Sequence, residues 1–165
     1  MKHSAGIIPF RVGADGRYQF FVGHPGGPFW KNKNYWSLLK GGVENGEDLR
    51  QAAVREFQEE SGAELDYGEI FKHMSFVCTV KQRSGKMVTA YAIKMVGTDE
   101  ETIMPSKCFS NIADGCDWPE IDEYRWVSDA EIVKCTNKTN VQFYTKIIEM
   151  DSNGDFGCGK YTNTK

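Results

Sequence analysis

The chain has 165 residues, a formal net charge of −3 and a pI near 5.7. Its 40% hydrophobic, 13% aromatic and 26% charged residues are typical of a globular protein and exclude a disordered or fibrous chain. The acidic balance gives no strong nucleic-acid-binding signal, since such domains usually present a basic face. We expect one domain over residues 1–150, followed by a flexible C-terminal tail over residues 151–165 that is rich in Gly and Asn.

The N-terminal segment predicts no export signal. The apolar run within residues 5–10 is too short for a signal-peptide core, and no stretch is long enough to span a membrane. The five cysteines are widely spaced without a C-x-x-C pair, which indicates neither a disulfide framework nor a zinc knuckle. We therefore expect a reduced, cytoplasmic protein with no membrane partner. The sequence does not indicate its oligomeric state.

Strand and turn signals dominate the chain before its first helix. Apolar runs with Gly-rich turns predict a hairpin, and an irregular Gly- and Pro-rich loop follows it. The predicted segments are a strand Ser4–Arg11, a turn 13–16, a strand Tyr18–Val22, a loop 24–34, a short apolar segment Tyr35–Leu39 and a turn-rich loop 40–47.

A helix from Leu49 to Ser61 is the best-marked element. Asp48 stands in the N-cap position, Gln51 three residues later completes a capping box, and Gly62 occupies the position of a C-cap glycine. The local sequence therefore predicts both ends of this helix.

After this helix the strand pattern returns, and two helices are expected near the C-terminus. The predicted segments are strands Phe71–Val80 and Met87–Val96 around a turn 82–86, a long polar segment 97–119, a strand Glu123–Val127, a helix that starts at the Ser128–Glu131 capping box and ends near Cys135, and a last helix Asn140–Met150. Hairpins with single helices between them favour an α+β or α/β sandwich over a doubly wound sheet.

Three carboxylates share one face of the predicted helix. Glu56, Glu59 and Glu60 are spaced i, i+3 and i+4, so they fall within about a 100° arc. A solvated polar face is the common explanation, but this arc overlaps the apolar arc of the same helix. Like charges so placed repel one another, and a hard dication relieves the repulsion. We therefore predict a magnesium site, because Mg²⁺ prefers oxygen ligands and shares them with substrate phosphate.

These glutamates belong to a longer pattern. Glycines at 41, 42 and 46 let the backbone approach phosphate or metal, and the helix N-terminus adds partial positive charge. The segment resembles the Nudix box, G-x5-E-x7-R-E-U-x-E-E-x-G-U, where U is a bulky aliphatic residue. The fixed letters match at Gly41, Glu47, Arg55, Glu56, Glu59, Glu60 and Gly62, and the U positions hold Phe57 and Ala63.

The resemblance extends beyond the box to most of residues 3–150. The strand Ala5–Arg11, Trp36 five residues before the box, and the strand-then-helix at Tyr124–Ser128 are similar to the family pattern. The resemblance implies an α/β fold, the Nudix α/β/α sandwich with a mixed β-sheet, in which the box forms a catalytic loop-helix-loop.

Position by position, the resemblance also implies roles. Glu56, Glu59 and Glu60 would bind Mg²⁺, or Mn²⁺ in its place, with the carbonyl of Lys40 as a further ligand. Arg55 and Glu47 would pair and hold the loop against the helix. The implied reaction is attack of water on one phosphorus of a diphosphate linkage, assisted by metal.

A carboxylate outside the box is a further candidate. Glu120 lies five residues ahead of Arg125, as a loop glutamate does in diadenosine-polyphosphate hydrolases, and the segment Trp36–Gly41 resembles their W-x-x-P-K-G motif with Leu39 in place of proline. We predict Glu120 as a metal ligand or general base. Glu123 is the rival, and a plain surface carboxylate is the alternative.

Candidate substrate contacts are phosphate-binding backbone and flat aromatic rings. Core packing is the alternative for the aromatic residues Trp36 and Tyr91, and a solvated charge is the alternative for each cation. The candidates are Lys40, Gly41 and Gly42 for phosphate, Phe29, Trp30, Trp36 and Tyr91 for a nucleobase, and Lys2, Arg11, Lys31 and Lys33 for distal phosphates.

The leading functional hypothesis is Mg-dependent hydrolysis of a dinucleoside polyphosphate or a related nucleoside polyphosphate. The alternative is a pyrophosphatase for (d)NTPs, ADP-ribose or nucleotide sugars. A more remote hypothesis is a nucleotide-binding module without catalysis, which would require broken box carboxylates, and the box here is complete.

Overall fold

The computed structural model describes residues 2–63, 66–95 and 110–157. Among them are ten helices and strands, some of which differ from the predicted segments. The strands are β1 (His3–Val12), β2 (Tyr18–Pro25), β3 (Leu39–Gly42), β4 (Ser75–Lys81), β5 (Met87–Lys94) and β6 (Ile121–Ser128), and the helices are α1 (Leu49–Ser61), α2 (Tyr67–His73), α3 (Asp129–Cys135) and α4 (Val141–Ser152).

The strands form one mixed sheet in the order β4-β5-β1-β2-β6, with β3 attached to β1. β1 runs parallel to β5 and antiparallel to β2 and β3. Residues 4–7 of β1 pair with β3, whereas residues 10–12 pair with β2. Because β1 changes partner along its length, Gly41 and Gly42 at the end of β3 lie beside Ala5 and Ser4 at the start of β1.

Alternation along β1 divides the apolar residues between two cores. Ala5 and Ile7 face α1 and α2, whereas Ile8 and Phe10 face α3 and α4. The sheet is therefore covered by helices on both faces. The predicted fold class, an α/β/α sandwich with a mixed sheet, is confirmed.

The predicted strand Phe71–Val80 is wrong over its first three residues, which belong to α2. The Asp66 side chain accepts a hydrogen bond from the Glu69 amide and caps this helix. Ile70 is buried under α1, and Arg50 donates to the carbonyl of Phe71. The strand itself starts at Ser75.

The C-terminal boundary also differs from the prediction. α4 continues to Ser152, and the Asp151 carboxylate lies 2.6 Å from the Lys94 ammonium and accepts from the Tyr18 hydroxyl. Phe156 is 8% exposed and packs edge-on against Phe10. The tail therefore cannot begin at Asp151. Residues 158–165, like Val96 and 97–109, lie outside the described residues.

No helix in the described part of the chain is long and apolar enough to cross a membrane. The division into one domain and a tail otherwise remains a prediction.

Candidate active site

The caps of α1 set the direction of its glutamates. Asp48 accepts from the Arg50 amide at 2.9 Å, and the Gln51 side chain accepts from the Asp48 amide at 3.4 Å. Gly62 ends the helix with a left-handed φ of 68°, a conformation that glycine adopts without strain. Because both ends are fixed by local contacts, the helix begins and ends as predicted.

A polar cavity of about 370 Å³ lies between β3, α1 and the segment 111–120, which we call the finger. It brings together the three predicted box glutamates, Glu120 and the predicted phosphate-binding backbone. Its wall consists of Lys40, Gly41, Gly42, Glu56, Glu59, Glu60, Asn111, Ile112, Asp114 and Glu120.

Glu60 is the most deeply held carboxylate of this cavity. It is 7% exposed, and its Oε2 accepts a hydrogen bond of 2.6 Å from the Lys40 amide. Burial raises the pKa of Glu60 to about 8, the positive charge of Lys40 opposes the rise, and the charges of Glu120 and Glu56 add to it. Burial therefore disfavours the ionised form of Glu60, and a bound cation would offset this cost.

Arg55 joins the loop to the helix, as the predicted pairing with Glu47 requires. Its Nε and Nη2 donate to the two Glu47 oxygens at 2.9 Å each, and Nη2 also donates to the Gly42 carbonyl at 2.8 Å. Contacts that the sequence did not predict run from Nη1 to Glu56 at 2.8 Å and to Glu59 at 3.2 Å. The hydrogen bond from Arg55 lowers the pKa of Glu47.

Gly41 is needed for the close approach of the loop to α1. A Cβ atom at this position would overlap the Glu56 carboxylate, which is itself 8% exposed and held by Arg55. A Cβ at Gly42 would meet no atom within 4 Å, so the space in front of it is open. The two adjacent glycines therefore differ: Gly41 is fixed by packing, and Gly42 borders the empty part of the cavity.

The finger carries Glu120 to the cavity. The Glu120 amide donates to the Asn111 carbonyl at 2.9 Å, and the Asn111 amide donates to the Glu59 carbonyl at 3.1 Å, so the finger is tied to α1. Burial and the charges of Asp114 and Glu59 raise the pKa of Glu120. The rival Glu123 pairs with His24 on β2 and does not line the cavity. Sequence reasoning missed Asn111 and Asp114, because a polar segment without periodicity gives no signal for them.

Three predicted substrate contacts are not placed at the cavity. Trp36 and Tyr91 are 4% and 6% exposed and belong to the two cores, so their faces are not open to a nucleobase. Arg11 lies near the far end of β1, where its guanidinium stacks 4.2 Å above the ring of Trp126. For these residues the structure supports packing roles.

The predicted aromatic residues of the 26–35 loop lie on the surface. Phe29 is 68% exposed, and the Lys33 ammonium lies 2.9 Å above its ring centre. Trp30 packs edge-on against Phe29 and stacks on Tyr35. The Gly26 amide donates to the Glu120 carbonyl at 2.8 Å, so this aromatic loop is attached to the finger.

Cations gather beside the carboxylates. Lys2 and Lys86 directly precede the parallel strands β1 and β5, and the Met87 amide donates to the Lys2 carbonyl at 3.0 Å. Burial and the positive charges of Lys40 and Lys2 lower the pKa of Lys86. We call Lys2, Lys40 and Lys86 the basic edge. Glu56 and Glu60 lie within electrostatic reach of Lys86 and oppose this lowering of its pKa.

The family model of the NUDIX domain matches residues 3–149. The chain belongs to the Nudix family. An RNA pyrophosphohydrolase of Wolbachia pipientis subsp. Culex pipiens is 29% identical over 133 residues, which cover 74% of this chain and 76% of that protein.

Solved Nudix structures share the fold. A Caenorhabditis elegans Ap4A hydrolase binary complex superposes with a TM-score of 0.64 at 19% identity and covers 93% of this chain and 99% of that one. The NUDIX domain of Shewanella oneidensis NrtR, complexed with ADP ribose, gives a TM-score of 0.60 at 17% identity, with 89% and 86% covered.

Family membership makes the chain a Nudix pyrophosphohydrolase, and Nudix hydrolases generally use divalent metal ions. The donor set of the cavity fits such an ion, since it is composed of hard carboxylate oxygens with one buried, under-compensated member, Glu60. Within residues 2–63, 66–95 and 110–157, no three acidic, His or Cys side chains already surround one point. Glu56 is turned to Arg55 and Glu60 to the Lys40 amide instead.

Proposed function

We propose that this Nudix hydrolase uses Mg²⁺, or Mn²⁺ in its place, to cleave a diphosphate linkage in a dinucleoside polyphosphate or a related nucleoside polyphosphate. The observation that carries the proposal is a carboxylate-lined cavity with Lys40 in its wall and Lys86 within electrostatic reach of Glu56 and Glu60. Carboxylates suit a hard metal ion, and cations suit the phosphates that such an ion bridges.

In this proposal Glu56, Glu59, Glu60 and the Lys40 carbonyl hold the ion, and Glu120 acts as an additional ligand or as the general base. A bound divalent ion lowers the pKa of a coordinated water and neutralises charge on phosphoryl oxygens.

The remaining work belongs to residues that hold these groups. The Lys40 amide fixes the direction of the Glu60 carboxylate, and Arg55 offsets the charges of Glu56 and Glu59 while it anchors the loop through Glu47. Glu120 has a raised pKa and is delivered by the finger, so it is suited to accept a proton from water. The basic edge would orient the phosphate chain.

Two substrate classes have support. The Ap4A hydrolase shares the fold over nearly the whole chain, and the Trp36–Gly41 segment resembles the motif of diadenosine-polyphosphate hydrolases. The Wolbachia relative, which is named an RNA pyrophosphohydrolase, instead favours a diphosphate linkage in RNA as the second candidate. Both substrates pair a phosphate chain with a nucleobase, for which the exposed ring of Phe29 offers a stacking surface.

The test is a product assay with Mg²⁺ on dinucleoside polyphosphates, nucleoside triphosphates, ADP-ribose and 5′-triphosphorylated RNA. Cleavage in isotopically labelled water then identifies the phosphorus that is attacked. We expect Glu59→Gln to lose roughly 100-fold or more in turnover with an unchanged melting temperature.

Glu149→Gln is the matched control, because Glu149 is an exposed α4 glutamate whose side chain makes a surface pair with Lys146 away from the cavity. Full turnover in Glu59→Gln would contradict the proposed site. A wild-type protein that binds nucleotides and cleaves none of them would instead support the non-catalytic binding module.

A further inference from the structure

A second cavity lies between the β4–β5 turn and the segment that joins α3 to α4. Its volume of about 560 Å³ falls in the range of roughly 300–1,000 Å³ that is usual for ligand sites. Its wall consists of Gln82, Arg83, Ser84, Asn137, Lys138 and Thr139.

The charge of this cavity has one sign. Arg83 and Lys138 are its charged wall residues, and its described wall contains no carboxylate. Both side chains are exposed, and neither makes an ion pair with another described residue. The protein as a whole has a net charge of −3, whereas this cavity has two cations without a neutralising carboxylate in its wall. Its local charge therefore favours an anionic ligand.

The start of α4 adds to this potential. The helix begins at Val141, directly after the wall residues, and its N-cap Asn140 makes no side-chain hydrogen bond to the first turn. The Asn140 side chain donates instead to the Ser37 hydroxyl at 3.1 Å. The Val141 and Phe143 amides already donate to the Asn137 and Asn140 carbonyls, so this helix end contributes only its partial positive charge near the two cations.

The basic edge links this cavity to the active site. The Gln82 amide, in the cavity wall, donates to the Lys86 carbonyl at 2.9 Å across the turn. Lys86 in turn lies within electrostatic reach of Lys40, which lines the carboxylate cavity. The turn 82–86 therefore connects Lys86, beside the carboxylate cavity, to Arg83 in the wall of the second cavity.

We propose that the second cavity binds backbone phosphates of a single-stranded RNA whose 5′ end occupies the active site. This inference rests on the proposed function and narrows its substrate class. Cations at two separate places fit the phosphates that repeat along an RNA backbone, whereas a short phosphate chain carries its charge in one place.

The first experiment measures binding separately from catalysis. A labelled 5′-hydroxyl oligoribonucleotide of about eight nucleotides is titrated in EDTA by fluorescence anisotropy at several salt concentrations. The double variant Arg83→Gln/Lys138→Gln should bind more weakly, and its slope of log affinity against log salt should be smaller by about 1.4, because each lost phosphate contact removes about 0.7. The control Arg17→Gln/Lys72→Gln makes the same change in net charge on other surfaces and should bind like wild type.

The second experiment compares KM values with Mg²⁺ for a nucleoside triphosphate, a dinucleoside tetraphosphate and a 5′-triphosphorylated oligoribonucleotide. The Arg83/Lys138 variant should raise KM for the oligoribonucleotide alone. Equal losses in the control variant, or an unchanged salt slope, would overturn the second site. An equal rise in KM for the dinucleotide would assign the site to a small substrate and overturn the RNA proposal. Should wild type cleave none of the three, the proposed function fails, and the binding titration still decides the site.

Discussion

At the scale of single residues, one guanidinium holds three carboxylates in and beside the candidate active site. Arg55 contacts Glu47, Glu56 and Glu59 and also reaches the Gly42 carbonyl. A guanidinium presents several donors in a rigid plane, so one side chain can meet partners from the loop and from its own helix at once. The positions of loop and glutamates are therefore coupled through this residue.

Replacement of Arg55 by Lys tests whether the planar guanidinium contributes to stability and turnover beyond its positive charge. An ammonium cannot donate to both Glu47 oxygens in the same geometry, so we expect a loss of about 1–3 kcal/mol in the free energy of unfolding, together with reduced turnover. Denaturant titration and steady-state kinetics measure the two effects. A variant that keeps wild-type stability would show that positive charge alone is sufficient.

The two adjacent glycines of β3 give a matched pair. Gly41→Ala should displace the Glu56 carboxylate and lower kcat by roughly 100-fold, since small misplacements of reactive groups have effects of this size. Gly42→Ala meets open space and should fold normally. Circular dichroism checks the fold of both variants. Equal turnover in the two variants would refute a packing role that is specific to Gly41.

At the scale of elements, sequence reasoning succeeded where the determinants are local. α1 begins and ends as predicted because Asp48, Gln51 and Gly62 lie at its own ends. α2 was missed because it has only seven residues and contains Gly68, and its stabilising contacts include Arg50 from another helix. Short helices of this kind depend on tertiary contacts that no local pattern reveals.

The same distinction holds within the site. The box glutamates could be predicted to lie together because their spacing is regular on one helix. The Lys40 amide, however, contacts Glu60 across 20 residues of chain, and Asn111 and Asp114 come from an irregular segment. Trp36 and Tyr91 were assigned to the site by residue type, and residue type does not determine whether a ring faces a core or a ligand.

A buried histidine on β2 joins β6 to the 26–35 loop and should make stability depend on pH. His24 Nδ1 lies 2.6 Å from the Asp122 carboxylate, and Nε2 lies 2.9 Å from the Lys33 carbonyl. Both partners are acceptors, so the doubly protonated ring satisfies both. Burial lowers the pKa of His24, but these hydrogen bonds and the charges of Asp122 and Glu123 outweigh it and raise the pKa above its ordinary value of 6.5.

A raised folded pKa stabilises the protein fully below the ordinary value, and the contribution disappears as pH rises through the folded pKa. The difference in unfolding free energy between wild type and Asp122→Asn should therefore be largest near about pH 6 and smaller near about pH 9. Asp155→Asn, at an exposed position, is the control. Chemical denaturation across this range makes the measurement, and a difference that stays constant would contradict the assignment.

At the scale of the whole molecule, the active site lies where the two halves of the chain meet. Its first wall comes from β3 and α1, and its second wall comes from the finger that leads into β6. The sheet holds both walls, because β1 pairs with β3 and, through β2, is connected to β6. A ligand that contacts both walls binds only when the sheet is folded, so we expect it to raise the free energy of unfolding.

Divalent metal should raise the melting temperature of the protein. An ion that binds only the folded state adds about 2.7 kcal/mol when it is present at about 100 times its Kd. We expect MgCl₂ to raise Tm relative to NaCl of equal ionic strength, EDTA to reverse the rise, and Glu56→Gln/Glu60→Gln to abolish it. Differential scanning calorimetry provides the readout, and equal Tm values in both salts would argue against a metal site in this cavity.

One backbone hydrogen bond, from the Gly26 amide to the Glu120 carbonyl, has a mechanical consequence. Phe29 follows Gly26 by three residues, so the loop that carries its ring is attached to the backbone of the residue that carries the Glu120 carboxylate. We therefore expect a ligand that orders the loop around Phe29 to restrict the Glu120 backbone as well.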